Sequence, residues 1–110
     1  MAGFVERDVV IANDVHLSRV LNIVNDKGYC VFLENPNLAG TVQITVYGTC
    51  YETPDRDQAT QWAQIHQANL DPTSAYLLNV ELSIYCCIYV KIDGSGGGSF
   101  NNGFLRVISV

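Results

Sequence analysis

The sequence predicts an all-β fold, an antiparallel, jelly-roll-like β-sandwich of about eight short strands. Three observations carry that expectation. Two segments alternate strictly between apolar and polar or aromatic residues, Thr41–Tyr47 and Ile84–Ile92. Turn-forming residues separate the apolar runs at intervals of roughly 8–14 residues, and no regular helical crossovers lie between them, as a βαβ fold would require. At 110 residues the chain is one domain. Residues 11–110 are read as the sandwich, and residues 1–10 as an N-terminal arm or first edge strand.

The elements follow in order. Met1–Val10 mixes Phe4 and Val5 with Glu6, Arg7 and Asp8 and has no clean period. A terminus with apolar anchors but no register of its own is a candidate arm that orders on a neighbour, so Phe4 and Val5 are candidate interface residues. Val9–Ile11, Val15–Val24, Tyr29–Leu33 and Tyr76–Val80 are less regular strands, rich in β-branched and aromatic side chains. Asn25–Gly28 reads as a tight hairpin connection and Glu34–Gly40 as a longer loop, in which Pro36 removes a ladder donor.

In Thr41–Tyr47, Val42, Ile44 and Val46 point inward while Gln43 and Thr45 point outward. Residues 58–68 are ambiguous. Propensity favours a short helix with Ala59, Trp62, Ala63 and His66 on one face, against a weaker alternation as a strand. In Ile84–Ile92, the residues Ile84, Cys86, Ile88, Val90 and Ile92 form a core face. Tyr85 and Tyr89 lie opposite them, on a face that packs on a second layer or on a neighbouring subunit, and both are candidate interface residues. Asp93–Ser99 is a glycine-rich hairpin loop. The closing run Phe104–Val110 is apolar on both sides, which leaves its register open and implies that both faces are partly covered.

Composition narrows the function. Charged residues make up 15% of the chain and the net charge is −5. Neutral polar residues must therefore cover much of the surface, and such a surface is cheap to desolvate against other proteins. The six basic residues are scattered, with no stripe to follow a phosphate backbone or dock on an anionic membrane. Neither direct nucleic-acid binding nor membrane association is expected. The start carries no secretory pattern, so a reducing cytosol is expected, with Cys30, Cys50, Cys86 and Cys87 as reduced, mostly buried thiols.

Chemistry-bearing constellations are few. His16 sits within Asp14–Ser18, but no nucleophile elbow supports Ser18, and His66 has no convergent partner. The cysteines lack C-x-x-C spacing, so no zinc site is expected. Glu52, Asp55 and Asp57 read as a solvated acidic loop without calcium-loop spacing. The Gly94–Ser99 segment leads into a strand, not the helix a phosphate cradle needs. A carbohydrate platform could be built from Trp62, Tyr85 and Tyr89, although a single tryptophan reads first as a core anchor. No catalytic residue, metal or cofactor is expected, and the chain reads as a non-enzyme.

Three pieces carry a resemblance: Leu33–Gly40 running into Thr41–Val46; Trp62–Ile65 after the acidic loop; and Ile88–Ile92, the glycine loop and Gly103–Val107. In their order they resemble small β-sandwich proteins of tailed-bacteriophage particles, of the head decoration or cement type. The resemblance implies a structural virion protein made in the host cytoplasm, homo-oligomeric and commonly trimeric, that bridges neighbouring subunits of the major capsid protein. It also implies an extended tryptophan piece and transfers no functional residues. A neck, tail or fibre-adaptor subunit and a carbohydrate-binding module are the alternatives.

Overall fold

Alternation and turn placement translate into nine strands in two antiparallel sheets packed face to face, seen in a computed structural model that describes residues 2–110. The strands are β1 (Ala2–Ala12), β2 (Val15–Leu17), β3 (Leu21–Asn22), β4 (Tyr29–Glu34), β5 (Val42–Thr49), β6 (Ala63–Leu70), β7 (Tyr76–Val80), β8 (Cys87–Asp93) and β9 (Ser99–Ser109). Sheet one runs β1-β9-β4-β7. Sheet two runs β2-β8-β5-β6, with β3 also pairing to β8. The expected antiparallel sandwich is the fold.

The core is the inner face of both sheets. Val42, Ile44 and Val46 of β5 are fully buried, as are Ile88, Val90 and Ile92 of β8. They meet Val31 and Leu33 of β4 and Leu105 and Val107 of β9 from the opposite sheet. Burying each such side chain contributes about 1.5–3 kcal/mol. The open register of the closing run resolves here: Leu105, Val107 and Ser109 face the core, while Phe104, Arg106 and Ile108 face outward.

The N-terminal stretch is built into the sheet. β1 pairs with β9 from Ala2↔Ser109 to Ala12↔Ser99, and Phe4 is buried in the core. Its irregular pattern has a local cause. Asp8 takes φ 55° where the pairing shifts between Glu6 and Val9, which breaks the two-residue period.

Several local expectations are corrected. Residues 58–68 hold no α-helix: a single 3-10 turn, Ala59–Gln61, leads into β6, which pairs with β5 along its length. Pairing to a buried strand outweighs the helix preference of Ala and Gln. β8 begins at Cys87, leaving Ile84 exposed, because Ser83 N–H bonds to Lys27 O and Cys86 N–H to Thr49 O in a non-ladder path. Val15–Val24 is two strands, broken where buried Ser18 accepts a hydrogen bond from Val90 N–H at 2.8 Å. The segments at 25–28 and 94–98 are not hairpins. Each carries the chain from sheet two to sheet one.

One glycine is fixed by a close approach. A Cβ on Gly48 would lie 2.7 Å from the Tyr85 ring, which packs across β5 at the end of the core.

Candidate functional site

The two sheets differ on their outer faces, and on sheet two an aromatic and cationic groove forms. Tyr47 and Tyr89 are cross-strand partners on β5 and β8, and their rings stack 5.0 Å apart at 16°. Trp62 stands edge-on to Tyr89, 4.7 Å away at 90°. The groove has a volume of about 370 Å³, with Val15 and Leu17 of β2, Arg56 and Lys91 on its walls.

The segment between β5 and β6 builds the outer wall and is tied down at several points. Trp62 donates its indole N–H to Asp55 O at 2.9 Å, and Asp55 N–H donates to Gln61 Oε1 at 2.8 Å. Arg56 reaches across to β2 and donates from Nη1 to Ser18 O at 2.9 Å. Its Nε is buried, 3.7 Å from Asp57 Oδ1 and without a hydrogen bond. Lys91 lies 3.9 Å from Asp93. Burial pushes the Tyr89 phenol up, with Tyr47 adding to the shift and Arg56 opposing it, so the phenol is neutral at neutral pH. The groove thus offers a flat aromatic wall, the phenols of Tyr47 and Tyr89, two cations and the Asp57 carboxylate. That set can hold a ligand or side chain by stacking and by charge.

The residues singled out in the sequence are dispersed. Phe4 is in the core, and Val5 lies on the outer face of sheet one. Tyr85 precedes β8 and packs over Gly48, whereas Tyr89 belongs to the groove, so the two do not share a surface. Trp62 is no core anchor but a half-buried wall of that groove. Tyr47 was legible as an outward residue from its parity with Gln43 and Thr45, whereas nothing in the sequence placed Arg56 beside it.

The two histidines lie on opposite open sides of the sandwich. His16 Nε2 meets Glu6 Oε1 at 2.9 Å, linking β2 to β1, and His66 Nδ1 meets the Tyr76 hydroxyl at 2.7 Å, linking β6 to β7. Each joins one sheet to the other. The four cysteines are unpaired, with Cys87 buried and Cys50 exposed, so the thiols are less uniformly buried than expected.

No family model and no curated protein sequence matches the chain. The architecture does match a solved structure, the crystal structure of PirA, at a TM-score of 0.59 and 13% identity. The match covers 99% of this chain and 92% of that one. The fold is that of PirA. PirA is a β-sandwich toxin component, Photorhabdus insect-related toxin A.

This finding corrects the bacteriophage resemblance. The virion role in head, neck, tail or fibre, the capsid-protein partner, the trimeric homo-oligomer and the virion location all rested on that resemblance, and the PirA match overturns them. The reason is physical. A proline-bearing loop entering an alternating strand, or a glycine-rich turn between two strands, is what any sandwich needs to cross between its sheets. Such features specify a fold and not a function.

Proposed function

We propose that this protein is a non-enzymatic binding subunit of a two-component toxin, released from the cell that makes it. One observation carries the reading: the correspondence with PirA, a binary toxin subunit that partners PirB, extends over nearly the whole of both chains. The composition is in keeping with it, since a low-charge surface favours contact with another protein. The groove on sheet two is the recognition site in this reading, because its aromatic wall is held rigid by backbone contacts before any ligand arrives.

The test is a reconstitution. The purified chain, the protein that copurifies with it from its source, and the mixture of both are applied to cultured insect cells. The expected result is membrane damage or death with the mixture and none with either protein alone. Full toxicity of this chain by itself, or no toxicity of the pair, overturns the reading. Trp62→Ala is expected to weaken cell binding by about tenfold or more without unfolding the chain.

A further inference from the structure

The outer face of sheet one is unlike that of sheet two. On sheet two, beside the aromatic groove, Gln43, Asn69, Gln67, Lys91 and Asp93 give the polar surface expected where an antiparallel sheet meets water. On sheet one, two cross-strand rows are largely apolar. Gly3, Ile108 and Cys30 line up in the first, which ends on the exposed Asn79, and Val5, Arg106, Phe32 and Leu77 in the second. Phe104 continues the face and packs edge-on to Phe32 at 6.3 Å. Leu77 is 66% exposed. A groove of about 290 Å³ runs between the β7 and β9 side chains. Both sides of β9 are thus apolar, but only one is covered by the molecule itself.

The charges on this face are specific. Arg106 stands in the middle of the second row, and the Arg7 guanidinium lies 5.2 Å from the centre of the Phe104 ring. Two of the six basic residues of a chain with net charge −5 therefore sit here, with Glu34 as the register partner of Phe104. A second copy is a poor occupant. A twofold axis centred on the patch would bring the two Arg106 side chains together, and like charges at an interface cost affinity. A buried arginine needs a carboxylate opposite it.

We infer that the outer face of sheet one is the docking surface for the second toxin component, which presents an apolar patch bearing carboxylates to Arg106 and Arg7. This inference rests on the two-component reading and adds to it a division of labour: sheet one holds the partner, and the groove on sheet two is left free for the target.

Cys30 lies in the centre of the face and serves as a native reporter, with exposed Cys50 elsewhere as its internal reference. The complex of the native chain with its copurifying component is treated with iodoacetamide and read by mass spectrometry. Cys30 is expected to be protected in the complex and Cys50 to react as in the free chain. The double variant Leu77→Asp/Arg106→Glu is expected to lower affinity about 100-fold or more, while Gln43→Glu on the other sheet leaves it unchanged. Circular dichroism melting of each variant separates lost binding from lost folding. If the complex forms but Cys30 labelling and the double variant show no effect, the face is wrong and the two-component reading survives. If no complex forms, both fall. Self-association of the free chain that the double variant abolishes would make the occupant a second copy and also overturn the inference.

Discussion

At Gly48 the missing side chain matters because the Tyr85 ring occupies its space. Gly48→Ala is expected to destabilise the protein by about 1–3 kcal/mol through overpacking, measurable by urea unfolding. Ser18 works through hydrogen bonds: its hydroxyl accepts from Val90 N–H and donates to Arg19 O. Ser18→Ala strands a buried donor and should cost about 1–3 kcal/mol in the same assay. Two tyrosines set the alkaline limit. Burial pushes the phenols of Tyr29 and Tyr76 up to about 12, against an ordinary value of 10.0. The folded state therefore favours the neutral phenol. That contribution is fully present below the ordinary value and is lost as pH rises from there to about 12. The melting temperature should fall across that window, and Tyr29→Phe should flatten the fall. Asp71 and Asp93 run the opposite way. The hydroxyls of Thr73 and Ser95 hold their carboxylates below the usual range, so their contribution is present above that range and is lost on acidification.

At the scale of elements, legibility followed burial on two sides. Val42–Val46 and Ile88–Ile92 announced themselves because every second residue meets the core and neighbours hold both edges of their strands. β6 and β1 did not, because each is an edge strand. On β6 only Leu70 is fully buried, so its composition of Ala and Gln carried a helical propensity that strand pairing overrides. On β1 the positive φ at Asp8 scrambles the period. The N-terminal strand makes a prediction of its own. Removing residues 2–8 deletes Phe4 from the core and the Glu6 that holds His16, and it uncovers β9. The truncated chain is expected to lose cooperative unfolding, as circular dichroism would report. A stable truncated domain would mean that β1 is an accessory. The groove was only half legible for the same kind of reason: Tyr47 and Tyr89 can be read from strand parity, but Arg56 and Trp62 arrive through an irregular segment whose path no period encodes.

At the scale of the molecule, the asymmetry between two outer faces is the feature that separates this sandwich from a generic one. Sequence reasoning reached it in part, since the closing run was apolar on both sides and so called for cover on both. It could not say what the cover is, because the first cover is the other sheet and the second lies outside the chain. The structural likeness to PirA was less legible still. At 13% identity to PirA the two sequences share little beyond what a sandwich requires, so the correspondence had to be seen in three dimensions. Ionic strength gives a test at this scale. Association through Arg7 and Arg106 should slow as salt rises from about 0.05 to 0.5 M, because the Debye length shrinks well below the roughly 10 Å found at 0.1 M. Stopped-flow association rates would measure it.

The strand at the free edge of sheet two has a further consequence, for the protein in concentrated solution. β6 is eight residues long and reads Ala-Gln-Ile-His-Gln-Ala-Asn-Leu, without lysine, acid, proline or glycine. Natural sheet edges are commonly blunted by such residues, which deter strand-to-strand addition between molecules. Here the task falls to geometry: a register shift beside Tyr47 and the bond from His66 to Tyr76, which draws the edge toward the neighbouring sheet. When that bond is removed by His66→Ala, the edge becomes a template for cross-β growth. The variant should form thioflavin-positive aggregates with a shorter lag than the native protein, and a lysine at Gln67 should restore solubility.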